Sequence, residues 1–409
     1  MHRPMEGVRI LEVAQFTFVP AAGAVLADWG ADIIKVEHAE TGDAQRGLVR
    51  VLGLEAGKAG SSFAPIMDGP NRSKRSIGIA LDKPEARPVF EELVKRSDVF
   101  LTNYLPGVRR KLGLTVEDIR KINPDIIYVA GSGFGSEGPD TDTGAYDATA
   151  FWARGGSADG TTPADADAVS FMPAGAYGDN IGGMTIAGGI AAALFGRERT
   201  GQTSEVDVSL LAVGAWATQF SVNLALMTGG PLPKTKRTTA APGNPLTGHY
   251  RTSDGRWIQF SMLQPTKYWD EFFRVLGRDD LVGDPRFDTM AKITDAKDVV
   301  TAEIARTIAG RTLDDWTNTF KDMTGQWAPV QDAWDIGNDE ALLANGRIVD
   351  VVDADGRAQK LVANPVKFDK APVEMTRAPL FAEHTDDILR ELGLDDDQLI
   401  ELKIAGAVT

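Results

Sequence analysis

In the stretch AYGDN, residues 176–180, a single carboxylate, Asp179, stands directly before a run of small residues, IGGMTIAGGIAAALF. The run has the composition of a smooth helix, and a helix N-terminus carries roughly half a positive charge, which keeps a nearby carboxylate ionised. An ionised carboxylate in such a position can act as a nucleophile, and Gly178 would let a ligand approach it closely. Capping of the helix is the simpler role, because Asp is a favoured N-cap residue. The local sequence leaves both roles open.

Several common catalytic motifs are missing. No GxGxxG follows the first predicted strand, and neither GxxxxGK[ST] nor GxSxG occurs, so dehydrogenase, P-loop and α/β-hydrolase sites are not expected. The four histidines lack metal-ligand spacing and the chain has no cysteine. We therefore predict no metal site.

Charge and composition limit the partners of the protein. The net charge of −15, without a broad basic face, argues against nucleic-acid binding. A small polyanion needs only a local group of cations; NRSKRS at 71–76 and VRRK at 108–111 qualify, although such groups are more often solvated surface. The first residues contain no apolar signal-peptide core, and the run 181–195 is too short to cross a bilayer. We expect a cytoplasmic protein with no membrane partner.

The elements that must position Asp179 begin with a regular alternation in the first third of the chain. Strands are predicted for GVRILEVA, ADIIKVE, SIGIAL, SDVFLTN and DIIYVAGSGFG, and helices for PAAGAVLADWG, PEARPVFEELVKRS and VEDIRKI. Repeated strand–helix–strand units predict an α/β fold with a Rossmann-like, doubly wound parallel sheet. Ligands of such sheets bind at the carboxyl ends of the strands.

The rest of the chain predicts two long helices and then a second, smaller α+β domain. The helices are predicted at 180–196 and at about 205–228, and a linker rich in Pro, Gly and Thr follows them. A hairpin with a Ser-Asp-Gly turn and three helices come next, and the chain then returns to a strand and a final helix, TDDILRELG. Because the length exceeds what one core usually serves, we predict a large domain from 1–224 and 326–409, with a small domain at 225–325.

Eight blocks, in order, resemble the family III CoA-transferases (the CaiB/BaiF family, formyl-CoA and carnitine CoA-transferase-like) over nearly the whole chain. They are MEGVRILEVA, LADWGADIIKVE, TGDAQRG, NRSKRSIGIAL, NYLPGVRRKLG, INPDIIYVAGSGFGSEGP, GDNIGGMTIAGGIAAALFGRERTGQ and RAPLFAEHTDDILRELG. The resemblance implies that Asp179 is a nucleophile that forms an aspartyl-CoA thioester while CoA passes from an acyl-CoA to a small carboxylic acid. It also implies that the large domain binds coenzyme A and that two chains form an interlocked homodimer.

The resemblance assigns further residues to ligands. CoA contacts are implied for Gln15, Phe18, His38, Ile79, Asn103, Tyr104, Val108, Lys111, Leu112 and Ser132. Lys111 is the expected phosphate contact, His38 stands where Arg is usual, and Ser132 stands where some members have Lys. Tyr146 and Gly178 are expected in the substrate pocket, with a core position as the alternative for Tyr146.

A 2-methylacyl-CoA racemase of the same family is the alternative function. That branch uses a His before an Asp in a motif like Gly-His-Asp, and here the stretch TGAYDATAF has Tyr146 at the His position. Tyrosine is poorly matched to removing an α-proton near neutral pH. The sequence therefore favours a transferase, and the presence of Asp179 disfavours a non-catalytic CoA-binding protein.

Overall fold

The computed structural model describes residues 3–51, 53–55, 57 and 61–409. The chain divides into two compact units. The first comprises Met1–Thr162, Ala168–Leu232 and Glu340–Thr409, and the second comprises Pro163–Asp167 and Pro233–Asp339. The assignment of 225–325 as a separate functional domain stays a prediction.

The first unit is built on a parallel sheet of six strands. They are β1 (Arg9–Val13), β2 (Asp32–Glu37), β3 (Arg75–Gly78), β4 (Val99–Thr102), β5 (Ile127–Ser132) and β6 (Glu205–Ser209). Their order is β3-β2-β1-β4-β5-β6, and every neighbouring pair is parallel. This confirms the predicted α/β fold with a parallel central sheet. The order reverses between β1 and β4, and the carboxyl ends of the strands at such a switch point usually border the ligand site.

The helices follow in chain order. They are α1 (Phe18–Asp28), α2 (Pro65–Asn71), α3 (Arg87–Lys95), α4 (Pro106–Leu112), α5 (Val116–Ile122), α6 (Ser157–Thr161), α7 (Tyr177–Thr200), α8 (Leu210–Ala217), α9 (Gln219–Thr228), α10 (Pro265–Val275), α11 (Met290–Asp295), α12 (Lys297–Ile308), α13 (Leu313–Phe320), α14 (Ala333–Gly337), α15 (Glu340–Ala344), α16 (Thr385–Glu391) and α17 (Asp396–Ile404). Short 3₁₀ turns cover Ala44–Gly47, Pro84–Ala86 and Asp279–Leu281, and a π-helical turn covers Ala148–Ala153.

Hydrophobic cores cover both faces of the sheet. Successive side chains of a strand point to opposite faces, so Ile10 belongs to the core beneath α1 and α7, whereas Leu11 belongs to the core beneath α3, α5, α16 and α17. The last helices are therefore part of the first unit. The sequence prediction that the chain ends in TDDILRELG is wrong, because α17 follows α16 and begins with its own capping box at Asp395.

The predicted single helix at 205–228 is also wrong. Residues 205–209 form β6, whose exposed and half-buried residues alternate as on a strand with one open face, and β6 pairs with β5. The helix begins only at Leu210, where the side chain of Ser209 accepts a hydrogen bond from the Ala212 N–H at 3.1 Å. Helices α8 and α9 are then bent by 75°.

The second unit carries an antiparallel sheet of four strands, and the remaining strands pair as hairpins in the first unit. The sheet strands are β7 (Ala240–Ala241), β8 (Asn244–Arg251), β9 (Trp257–Ser261) and β10 (Trp327–Pro329), in the order β10-β9-β8-β7. The hairpins are β11 (Ile348–Val352) with β12 (Ala358–Val362), and Arg50–Val51 with Leu54–Glu55. The predicted β8–β9 hairpin is confirmed. The core of the second unit contains a cluster of aromatic rings that includes Phe260, Trp316 and Phe320.

Among the described residues no single helix is both long and apolar enough to span a bilayer, although the bent pair α8 and α9 together meets that length and composition.

Candidate functional site

Helix α7 presents Asp179 in its first turn and does not use it as a cap. The helix begins at Tyr177, its N-cap is Ala176, and no side chain caps it. Ala176 has φ 61° and ψ 23°, a left-handed conformation that non-glycine residues seldom adopt. The first N–H groups of a helix have no partner within the helix. The capping role that the sequence left open is therefore wrong, and Asp179 lies in the first turn of α7 without capping it.

A second carboxylate, Asp147, lies at the same helix start. Asp147 is only 7% exposed, and one of its oxygens accepts a hydrogen bond from the Ala148 N–H at 2.8 Å. The N–H groups of Gly178 and Asp179 lower the pKa of Asp147, but burial outweighs them and raises it overall. Among the described residues its Oδ2 has no partner with full hydrogen-bond geometry. The start of α7 thus holds two neighbouring carboxyl groups in a poorly solvated place.

The pKa of Asp179 is displaced strongly upward, so the expectation that the helix N-terminus keeps this carboxylate ionised is wrong near neutral pH. Burial is the larger cause and the neighbouring Asp147 the smaller, and together they raise the pKa to about 8. A carboxyl group whose pKa is shifted by burial together with a specific charged neighbour is typical of a functional site. Once it is ionised, such a group is a stronger nucleophile than an ordinary carboxylate because it is more basic.

The loop after β1 is tied to the loop after β4, at the switch point of the sheet. The Gln15 N–H donates to Asn103 Oδ1 at 3.0 Å, and Asn103 Nδ2 donates to the Gln15 carbonyl at 2.7 Å. The Gln15 side chain reaches the Tyr104 hydroxyl at 3.4 Å. Three of the residues expected to contact CoA are therefore brought together where α/β sheets bind ligands.

Phe18 and Gly178 belong to the packing that supports the site. Phe18 is buried, and a Cβ at Gly182 would lie only 2.3 Å from its ring, so the glycine is what lets α7 approach α1. A Cβ at Gly178 would lie 2.5 Å from Cγ of Phe151. Protein atoms therefore fill the space beside both glycines. The space that the absent side chain of Gly178 leaves is filled by Phe151, and the place of Gly178 in the substrate pocket stays a prediction.

Of the other expected contact residues at strand ends, two form local hydrogen bonds and one is buried. His38 follows β2, and its Nδ1 accepts from the N–H groups of Glu40 and Thr41 at 3.3 and 3.4 Å. Ser132 ends β5, where its hydroxyl accepts from the Gly135 N–H at 3.0 Å. Ile79 is fully buried in the core beneath α3. We therefore propose no ligand contact for the side chain of Ile79.

Helix α4 carries the remaining expected contacts. Val108 and Lys111 are exposed, whereas Leu112 packs against the core. Arg109 is half-buried and bonded to the Tyr128 hydroxyl at 3.2 Å, and Arg110 pairs with Asp142 at 3.5 Å. Within the described ranges Lys111 forms no ion pair, so it is the α4 cation most available to a phosphate.

Two residues of this site, Asp147 and Phe16, are not predicted from the sequence. Asp147 directly follows Tyr146 in the stretch TGAYDATAF, where the missing histidine is the only signal that the sequence offers. Tyr146 itself is 60% exposed, so its alternative assignment as a core tyrosine is wrong. Phe16 adopts φ 64° in the loop after β1, and no sequence pattern announces that conformation. The described part of the chain, which excludes His2, contains no group of three or more His, Cys, Asp or Glu arranged to hold a metal ion.

Comparisons with known proteins agree with this arrangement. The sequence model of CoA-transferase family III matches residues 5–385. A cinnamoyl-CoA:phenyllactate CoA-transferase from Clostridium sporogenes is 31% identical, with 97% of this chain and 95% of that protein covered. An (R)-2-hydroxy-4-methylpentanoate CoA-transferase from Clostridioides difficile is 28% identical, with 98% of each chain covered.

Among solved structures, a CAIB/BAIF family protein from Brucella suis superposes with a TM-score of 0.82 at 26% identity, covering 96% of this chain and 100% of that one. The resemblance expected from the sequence blocks is confirmed. Because the family match spans nearly the whole sequence and the curated relatives are transferases, this protein belongs to CoA-transferase family III and is an enzyme of the CoA-transferase type.

Proposed function

We propose that the protein moves CoA from an acyl-CoA donor to a small carboxylic acid through an aspartyl-CoA thioester on Asp179. One observation carries this proposal: the Asp179 carboxylate lies in an uncapped first turn of α7, with a pKa raised to about 8 by burial and by Asp147. Such a group is a basic nucleophile beside backbone donors, which is what attack on a thioester carbonyl requires.

The reaction consists of two symmetrical halves. The Asp179 carboxylate attacks the donor thioester, giving a mixed anhydride and CoA thiolate; the thiolate then attacks the aspartyl carbonyl, and the donor acid leaves as its carboxylate. The acceptor carboxylate attacks the resulting aspartyl-CoA thioester and expels the thiolate. That thiolate attacks the acceptor carbonyl of the new anhydride, giving the new acyl-CoA and releasing Asp179 as a carboxylate.

The start of α7 suits the charged stages of this sequence. Each attack develops negative charge on a carbonyl oxygen, and fixed N–H donors near that oxygen stabilise it in the transition state. The N–H groups of Gly178 and Asp179 have no partner within the helix; they act on the Asp147 carboxylate and belong to the same turn as the reacting carboxyl. We assign them the oxyanion role. Burial around Asp179 limits hydrolysis of the anhydride and thioester by water.

The proposed CoA site begins at the switch point of the sheet and extends to α4. Gln15, Asn103 and Tyr104 are bonded to one another there, and the exposed Lys111 on α4 offers a charge for a CoA phosphate. The relatives that act on phenyllactate and on 2-hydroxy-4-methylpentanoate support a small carboxylic acid as acceptor. The homodimer implied by the family resemblance and a cytoplasmic location belong to this proposal as well.

The covalent step is the direct test of the proposal. Incubation with an acyl-CoA alone should load CoA onto Asp179; hydroxylamine then releases the CoA and leaves a hydroxamate, or borohydride leaves an alcohol, and mass spectrometry locates either mark on the peptide carrying Asp179. Asp179→Ala should abolish both the adduct and turnover, while its circular dichroism spectrum stays that of the folded protein. Glu198→Gln, which changes an exposed acid on the same helix, is the matched control and should retain both. Full turnover by Asp179→Ala would refute the mechanism.

The racemase alternative is decided in the same assay. A racemase must exchange the α-proton of its substrate, whereas the proposed transferase works only at the carbonyl. With a 2-methylacyl-CoA in D₂O we expect no enzyme-dependent deuterium at the α-carbon, and an added acid should appear as its CoA thioester. The absence of a histidine at position 146 motivates this expectation. Rapid α-deuteration without acid exchange would favour the racemase.

A further inference from the structure

Phe16 holds a conformation that its residue type disfavours. Its φ of 64° lies in the left-handed region, which glycine adopts freely and which bulky side chains seldom occupy. Positions of this kind persist only where the surrounding structure fixes them, and they cluster at functional sites. A glycine would satisfy the backbone better, so the aromatic side chain requires an explanation.

A buried ion pair fixes the backbone at this position. Oδ1 of Asp43 accepts a hydrogen bond from the Phe16 N–H at 3.1 Å, and Oδ2 lies 2.8 Å from the Lys35 ammonium. Both side chains are fully buried. Lys35 also donates to the Ala14 carbonyl at 2.9 Å, so the pair holds the chain on both sides of Gln15. Asn103 clamps Gln15 itself. The loop is therefore rigid where it carries Phe16.

The ring that this loop presents meets Tyr146. The two ring centroids are 5.4 Å apart and the planes are inclined by 86°, an edge-to-face contact. Tyr146 directly precedes Asp147 in the chain. The Asp147 carboxylate raises the pKa of Asp179, and the N–H groups of Gly178 and Asp179 lower the pKa of Asp147, so these groups lie close together. The aromatic pair thus includes the residue next to Asp147 in the chain, and much of the Tyr146 surface is exposed.

We propose that Phe16, held in place by Asp43, is a specificity-determining residue: with Tyr146 it forms an aromatic wall that selects acyl groups with a bulky apolar side chain, branched or aromatic, over short ones. This inference rests on the proposed transferase function. An apolar group laid against the wall leaves water, and each added methylene contributes about tenfold or more to discrimination. The rigid loop keeps the wall formed before substrate arrives, so less binding energy is lost in ordering it.

The preference is measured on the first half-reaction, without any acceptor acid. The rate at which Asp179 is loaded with CoA is compared for 3-phenylpropanoyl-CoA and acetyl-CoA. The unaltered enzyme should favour the phenylpropanoyl donor. Phe16→Gly should lower that preference by about tenfold, mainly by slowing the phenylpropanoyl reaction, and Phe16→Leu should restore part of it. Because glycine adopts the left-handed region without strain, Phe16→Gly is expected to fold.

A matched control uses an aromatic pair elsewhere in the first unit. Phe368 meets Trp29 edge-on at 5.6 Å, and Phe368→Ala should leave the donor preference unchanged. An unaltered preference in Phe16→Gly, or an original enzyme that favours acetyl-CoA, overturns the inference while leaving the transferase mechanism intact. If neither donor loads Asp179, the proposed function itself fails and this inference falls with it.

Discussion

In the proposed mechanism, the reactivity of Asp179 depends on its position beside a second carboxyl group, Asp147, at the start of α7. With its pKa raised to about 8, Asp179 is mostly protonated near neutral pH, and in the proposed mechanism only the ionised form is nucleophilic. The Asp147 carboxylate disfavours a second negative charge beside it, whereas the positive end of α7 favours one. In the proposed mechanism, Asp147 therefore influences the reaction through the protonation state of Asp179.

This arrangement predicts a specific pH dependence. The rate of CoA loading onto Asp179 should rise with pH through about 8 and then level off. Asp147→Asn removes the electrostatic cause and leaves burial, so the pKa of Asp179 should fall and the rising limb should move to lower pH. The profile is checked by measuring the rate of single-turnover CoA loading from about pH 5 to about pH 10. Glu198→Gln should keep the original pH profile. If the rising part of the profile does not move in Asp147→Asn, Asp147 does not raise the pKa of Asp179.

At the residue scale the sequence predicts a role for Asp179 and none for Asp147. Asp179 stands out because a lone carboxylate before a run of small residues is visible locally, and its role stays a prediction. Asp147 was missed because its importance arises from tertiary proximity to α7, which adjacent residues do not encode. The left-handed Phe16 was missed for a related reason: Asp43 and Lys35 impose that conformation from another strand and the loop that follows it.

At the scale of elements, the contact between α1 and α7 places Asp179. Glycines on α7 let the two helices approach, and Phe18 of α1 lies under Gly182. The same ring lies against Gly131, the penultimate residue of β5, where an added Cβ would lie 3.0 Å from it. The helix start is therefore set by close packing between α1, α7 and the sheet.

Gly182→Ala tests that packing. The new Cβ would lie 2.3 Å from the Phe18 ring, so the ring or the helix must shift, and we expect a loss of about 1–3 kcal/mol in the free energy of unfolding. Denaturant unfolding followed by circular dichroism gives the value. The control is Gly188→Ala on the same helix, where nothing lies within 4 Å; it should stabilise the protein by about 0.5–1 kcal/mol. Equal effects of the two substitutions would show that Gly182 is not required for the close contact between α1 and α7.

Element prediction failed where local and tertiary signals disagreed. The strands β1 to β5 were predictable because each is a short apolar run bounded by polar or turn residues. Strand β6 has only five residues and passes directly into the apolar helix α8, so it reads as the first turns of that helix. Pairing with β5 overrides this local preference.

At the scale of the whole molecule, helices α8 and α9 leave a large apolar surface uncovered. Helix α9 has no buried residue. Trp216 and Phe220 are 71% and 79% exposed, and Leu226 and Met227 are exposed as well. Monomeric soluble proteins rarely expose a contiguous apolar patch of this kind. The homodimer that the sequence resemblance implies would cover it with a second copy of the chain.

The dimer can be tested by dilution. If the chains interlock, they cannot separate without unfolding, so sedimentation at nanomolar concentration should still give the mass of a dimer. Phe220→Asp puts a charge on the apolar surface and should lower dimer yield, whereas Val299→Asp, at an exposed position of the second unit, should not. A monomer at nanomolar concentration would refute interlocking. Binding of the unaltered protein to lipid vesicles would assign the patch to a membrane instead.

The return of the chain to the first unit has a consequence for its synthesis. The segment after 385 completes the core beside β3, where the Ala80 N–H donates to the Ala407 carbonyl at 2.9 Å and Ile79 bridges Val408. During translation, residues 79 and 80 are synthesised long before their partners at 407 and 408. The second unit, whose strands and helices are nearly contiguous in sequence, can fold while the nascent first unit still exposes an unfinished core. During that interval the uncovered apolar residues of the first unit are open to aggregation.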